Sequence, residues 1–121
     1  MQTVPIEIIE NNNKDLIFRT LAPIGFTAND GRWYTIPAGY ISDGASVPRI
    51  FWPMLSPNID ARTLRPSIIH DYEYEFGIGT RKGADANYRR RLEDNDFGYI
   101  KSTLTYYGVR IGGRCHWRAA A

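Results

Sequence analysis

Cysteine is nearly absent from this chain, and that removes one way of building a small protein. Cys115 is the single cysteine in 121 residues, so no internal disulfide framework can form. Long apolar runs are missing as well. No stretch approaches the ~20 residues needed to cross a bilayer, so no transmembrane segment is expected. Strong charge of either sign is also lacking. A net charge of +2 is too small to argue for a nucleic-acid partner. Met1 to Pro5 has neither the basic nor the apolar region of a signal peptide. The expected location is therefore a host cytoplasm or, after release by lysis or within a particle, a virion. Histidine is scarce too: there are two, His70 and His116. His116 has no metal-ligand companion at a useful spacing, so the tail around Arg114 to Trp117 reads as packing and contact surface.

What remains is a chain of ordinary globular character, with 43% hydrophobic and 23% charged residues. Its length fits a single domain, residues 1–121, around one core. The first half reads as strands. Val4 to Ile9 forms one, with Pro5 marking an edge, and Asn11-Asn12-Asn13 a turn. Leu16 to Leu21 forms the next. Phe26 to Ala28 and Trp33 to Ile36 make a hairpin around Asn29-Asp30-Gly31, and Tyr40-Ile41 a short strand.

The second half reads as helices. Leu64, Ile68, Tyr72 and Phe76 recur every four positions between Ala61 and Phe76, the stripe of an amphipathic helix. Pro66 suits a first turn, which places the helix start near Arg65. Gly77 and Gly79 end it. A second helix runs from Arg81 to Asp94, with Ala84, Tyr88 and Leu92 along one face. Phe97, Ile100, Leu104, Tyr107 and Ile111 repeat at 3, 4, 3, 4 and predict a third helix of roughly four turns. Gly112-Gly113 stops it. Strands followed by helices give an α+β class: a small N-terminal antiparallel sheet with hairpins, then a three-helix half.

The chemistry gathers on the first two helices. His70 and Tyr74 are four apart and share a face. Asp85 borders the apolar stripe of the second helix, where a carboxylate needs a partner. The short Gly-rich link makes the pair an antiparallel hairpin, in which Asp85 can meet His70 and Tyr74. A carboxylate on one imidazole nitrogen fixes the tautomer and frees the other as a base. Asp71 beside it could hold a hard cation such as calcium. The same residues also suit a satisfied polar knot that joins two helices and does no chemistry.

Three other segments stand out. Ser42-Asp43-Gly44-Ala45-Ser46-Val47-Pro48 is either a loop over His70 that lends Asp43 or backbone carbonyls to a metal, or a strand-to-helix junction. In the junction reading Ser46 caps a short helix at Arg49 to Trp52. Arg89-Arg90-Arg91 reads as a solvated face opposite Glu93, Asp94 and Asp96. Phe51 to Leu55 is core or a contact patch.

The pattern His70-Asp71 with Tyr74, followed by Ala84-Asp85 and Tyr88, resembles the catalytic helix pair of the phospholipase A2 superfamily. That resemblance implies His70 as the base that activates water, Asp71 as a calcium ligand, Asp85 as the acid that orients His70, and Tyr74 as a donor to it. The implied activity is calcium-dependent hydrolysis of a lipid or ester. The superfamily's Y-x-G-x-G calcium loop and its disulfides have no counterpart in this chain. A second resemblance spans about residues 15–117. Gly39-Tyr40-Ile41-Ser42-Asp43-Gly44-Ala45-Ser46-Val47-Pro48, His70-Asp71, Ala84-Asp85, Val109-Arg110 and Trp117 together look like a small domain of unknown function common in bacteriophages and prophages. It implies a virion or tail component with other phage structural proteins as partners.

Overall fold

A computed structural model describes residues 5–11, 16–42, 61–112 and 117–118. Its strands are β1 (Ile6–Asn11), β2 (Leu16–Thr20), β3 (Ile24–Thr27), β4 (Trp33–Ile36) and β5 (Ile41–Ser42). Its helices are α1 (Ala61–Phe76), α2 (Arg81–Asp94) and α3 (Tyr99–Gly112). The α+β class and the order of strands before helices are as the sequence implies. The Ser46-capped helix, Asp43, Phe51 to Leu55, Cys115 and His116 lie outside the described residues. Among the described residues, no helix is long and apolar enough to cross a membrane.

Two antiparallel sheets form the N-terminal half. One has the order β1-β2-β5 and the other is the β3-β4 hairpin. Ile6 pairs with Thr20, and the register slips at a bulge between Ile8 and Glu10. Thr20 fastens the far end of this sheet. Its backbone N–H donates to the Tyr40 carbonyl at 2.9 Å, and its hydroxyl donates to the Pro37 carbonyl while accepting from the Tyr40 N–H, both at 3.0 Å. In the hairpin, Phe26 stands opposite Tyr34 and Gly25 opposite Thr35. The exposed Trp33 ring lies across Gly25, and a Cβ added there would push that ring aside.

Strand alternation sends Ile24, Phe26, Ala28 and Ile36 inward, where they meet Leu64, Ile68 and Ile69 of α1 and Ile78 of the following loop. α1 is the central element: Pro66 through Ile69, His70, Glu73 and Tyr74 are all buried. One side faces the hairpin and the other faces α2. The helix begins at Ala61, with Pro66 inside it, and not near Arg65. Pro66 has no N–H to give to the ladder, and its side chain is buried, so packing offsets a local cost.

The third helix forms as its spacing implies, and its apolar repeat does not mark its buried face. Phe97 is buried, but Ile100 (72% exposed), Tyr107 (57%) and Ile111 (73%) face outward, with Leu104 at their centre 36% exposed. Its buried residues are Ser102, Thr105, Gly108 and Val109. Small side chains let α3 lie close against α2, so the apolar stripe is turned away from the core.

Candidate functional site

The hairpin of α1 and α2 sets the geometry. Gly77 and Gly79 take positive φ, 59° and 67°, and reverse the chain within a few residues. Thr80 then caps α2, its hydroxyl accepting the Gly83 N–H at 3.0 Å. The antiparallel pairing brings Asp85 to the His70 face of α1.

Asp85 collects three partners. One oxygen, Oδ1, lies 2.7 Å from His70 Nε2 and accepts the Tyr74 hydroxyl at 2.6 Å. The other, Oδ2, accepts Arg110 from α3 at 3.0 Å. Asp85 and His70 have no exposed surface, and Tyr74 has almost none. Burial pushes the Asp85 carboxyl up, but the bonds from His70, Tyr74 and Arg110 outweigh it and hold the group below the usual carboxylate range. An ionised carboxylate has no proton to give, so His70 Nε2–H is the donor. His70 Nδ1 is buried and has no hydrogen-bond partner among the described residues.

Aromatic rings enclose the imidazole. Tyr74 lies with its centroid 4.3 Å from that of His70, and Tyr88 stacks on it at 4.5 Å and 25°. Burial raises the Tyr74 phenol, and its bond to Asp85 raises it further. Tyr88 is pushed up to about 12 by burial, and its hydroxyl meets Ser67 Oγ at 2.9 Å. Trp117 packs edge-on against Tyr74 at 5.2 Å, so the tail does serve as packing there.

The structure thus brings His70, Tyr74 and Asp85 together. Asp71 points elsewhere. Its Oδ2 lies 3.1 Å from the Tyr40 hydroxyl, which is also 2.7 Å from Glu75 Oε2. Burial and the two carboxylates raise the Tyr40 phenol far above its ordinary value. Asp71 and Glu75 make one pair of acidic groups around a phenol. Among the described residues, no group of three or more His, Cys, Asp or Glu is arranged to hold a metal ion. Calcium takes six to eight oxygens, which this pair alone does not supply.

A second buried carboxylate was missed from sequence. Glu73 Oε2 accepts the Asn29 backbone N–H at 3.1 Å and the Asn29 amide, while its Oε1 lies 3.4 Å from Arg91. Asn29 also donates to the Ile78 carbonyl and accepts the Thr80 N–H, so one side chain ties the β3–β4 turn to the hairpin loop. Arg91 donates to the Thr27 carbonyl at 2.7 Å and sits over the Phe26 ring. The basic run is therefore not a uniformly solvated face: Arg91 is buried, and Arg89 pairs with Glu93 beside Tyr99 and Tyr106. The available signal was position, since Glu73 falls four after Ile69 on the inward side of α1.

Comparison with known proteins places these residues. Residues 13–109 match the family described as Protein of unknown function (DUF1353). The chain belongs to this family. His70, Tyr74 and Asp85 lie inside the matched region, as do Glu73, Asn29 and Arg91, while Arg110 lies just beyond it. The chain is also 28% identical over 105 residues to the uncharacterized protein y4jT of Sinorhizobium fredii (strain NBRC 101917 / NGR234). The match covers 87% of this chain and 26% of that protein, so the chain spans about a quarter of its length. No solved structure matches.

Proposed function

We propose that this DUF1353 protein is a structural or interaction component of phage or prophage type, working in a virion or tail with other phage structural proteins. In this reading the His70–Asp85–Tyr74 cluster specifies how the helices pack and performs no reaction. The single observation that carries it is the enclosure of His70: its ring is fully buried, stacked on Tyr88 and covered by the tilted ring of Tyr74. A general base must reach the proton it abstracts, directly or through one water, and this ring has no exposed edge. The phage setting, with the virion or host cytoplasm as location, rests on the resemblance of the Gly39 to Pro48 string and the His70-Asp71 and Ala84-Asp85 pairs.

A second reading is favoured by one feature. His70 Nδ1 has no partner among the described residues although Nε2 is fixed by an ionised carboxylate, the arrangement that orients a base. A buried polar atom left unpaired is costly and calls for a reason. The reaction would be calcium-dependent hydrolysis of a phospholipid or other ester, with His70 as base, Asp85 and Tyr74 orienting it, and Asp71 and Asp43 as metal ligands. Purified protein incubated with mixed phospholipid vesicles, with calcium and with chelator, separates the two. The structural reading expects no turnover in either condition and no calcium-dependent rise in melting temperature, because a cation without a site cannot stabilise the folded state. Calcium-dependent release of fatty acid that falls at least ~10²-fold in His70→Gln, the scale of a lost general base, would reverse the choice.

A further inference from the structure

Among the described residues, the outward stripe of α3 is an apolar face to which the fold gives no partner. Ile100, Leu104, Tyr107 and Ile111 are spaced 4, 3, 4, the seam of a two-helix coiled coil. Ile100, Tyr107 and Ile111 are each more than half exposed, and Tyr99 beside them is 68% exposed. The opposite face of the same helix, Ser102, Thr105, Gly108 and Val109, is already buried. α3 therefore has two packing faces, one occupied and one open. Contiguous exposed apolar patches of this kind mark contact sites.

We infer that this face pairs with the same face of a second copy of the chain, antiparallel, about a two-fold axis that passes between Leu104 and Tyr107. Three observations select that occupant. First, the spacing reads the same in both directions. An antiparallel copy therefore sets Ile100 against Ile111 and Leu104 against Tyr107, the self-complementarity an isologous interface requires. Second, the seam itself carries no charge. Of the two cations on α3, Arg110 is turned inward to Asp85, and Lys101 lies over the Phe97 ring. A parallel pairing would set the two Lys101 ammoniums side by side, whereas the antiparallel one separates them by about 14 Å along the axis. Third, the area suits a weak, reversible pair. The four seam residues expose roughly 450 Å² per copy, so pairing them buries about 900 Å² at most, the size of weak and transient contacts. This pairing does not depend on whether His70 acts as a base.

The test uses the full 121-residue chain in sedimentation equilibrium, from about 1 µM to about 1 mM, a range that brackets the weak affinity such an area implies. Wild type is expected to pass from monomer to dimer and to stop there, because a two-fold contact closes. Leu104→Lys should be monomeric across the whole range while keeping the wild-type circular dichroism spectrum at low concentration, and Ile100→Lys, at a position 72% exposed, should weaken the dimer with an unchanged melting temperature. Orientation is read by cross-linking in a Cys115→Ser background. Ile100→Cys together with Ile111→Cys should form an oxidised dimer, while Ile100→Cys alone should not. Within one helix these two positions are about 16 Å apart, too far to bridge internally. A wild type that stays monomeric at 1 mM, a dimer indifferent to Leu104→Lys, or cross-linking by Ile100→Cys alone would each overturn the proposal. The first would point to a different partner protein or to further chain of a longer protein as the cover for this face.

Discussion

Asp85 and Glu73 are both carboxylates without exposed surface, yet the fold treats them oppositely. Asp85 receives a ring nitrogen, a phenol and a guanidinium, and these hold it in its ionised form against burial. Glu73 receives two short contacts from Asn29 and a long one from Arg91. Burial wins there, and its carboxyl is raised above the ordinary value. Burial is nearly equal, so the partners make the difference. Three side chains from two helices, α1 and α3, converge on Asp85, while the partners of Glu73 come chiefly from one turn. The first cluster stabilises a charge and fixes helix packing. The second latches the β3–β4 hairpin to the helices and tolerates its charge at some cost.

The largest expected effect is at Asp85. Asp85→Ala should destabilise the protein by about 2–4 kcal/mol, because it strands a buried imidazole, a phenol and part of a guanidinium at once. Urea unfolding followed by circular dichroism measures it. A loss below about 0.5 kcal/mol, the range of surface sites, would mean that the three bonds do not hold the hairpin and that the contrast with Glu73 is empty.

The contrast itself is sharpened by pH. Asp85 has a folded-state pKa below its unfolded one, so its contribution is present above the unfolded value near 3.9 and is lost as the pH falls through the folded value. Glu73 has the reverse sign. With its folded pKa raised, the stability linked to its proton is fully present below the unfolded value near 4.3 and is lost as the pH rises through the folded value. Asp85→Asn should therefore cost roughly 1–3 kcal/mol at pH 7, the scale of a hydrogen bond to a charged group, and less as the pH drops below 4. Glu73→Gln should cost most, up to about 1 kcal/mol, at acid pH and should improve relative to wild type as the pH rises, because it removes a charge the site disfavours. The two variants' stability differences, measured from pH 3 to 8, should slope in opposite directions. Parallel slopes would show that the two carboxylates are electrostatically alike.

One of these clusters could be read from the sequence and the other could not, and the reason is separation along the chain. His70 and Tyr74 share a helix face by periodicity, and the Gly77-Gly79 link forces the hairpin that brings Asp85 to them, so a local argument reaches the site. Glu73 meets a turn 44 residues away, and no local pattern says which turn docks on which helix. The strands, helices and their order were legible for the same local reason. The α3 stripe shows the limit in another form. Periodicity states that Ile100, Leu104, Tyr107 and Ile111 share a face, but not that this face points to the core. The small residues Ser102, Thr105 and Gly108 took that place because they let two helices approach closely, a preference that hydropathy hides. Asp71 is the sequence neighbour of His70, and its position on α1 turns it toward Tyr40, whose hydroxyl it shares with Glu75.

The smallest expected effect separates the members of the Asp85 cluster. Arg110 reaches Asp85 Oδ2 from the rim, its side chain 30% exposed, whereas His70 and Tyr74 are sealed at Oδ1. Its aliphatic stem and its contact with α2 survive in Arg110→Gln, and water can replace the guanidinium at Oδ2. An ion pair this open is worth about 1 kcal/mol or less, and salt screens part of it. Arg110→Gln should therefore lower stability by no more than about 1 kcal/mol. Raising the ionic strength from about 0.05 to 1 M, over which the screening length falls to about 3 Å, should reduce that gap. The gap for Asp85→Ala should hold nearly constant over the same range, since most of its loss comes from groups that water and ions do not reach. If Arg110→Gln costs as much as Asp85→Ala at both ionic strengths, then the guanidinium, and not the enclosed imidazole and phenol, is what keeps Asp85 ionised. The distinction between the two buried carboxylates would then rest on a single surface arginine.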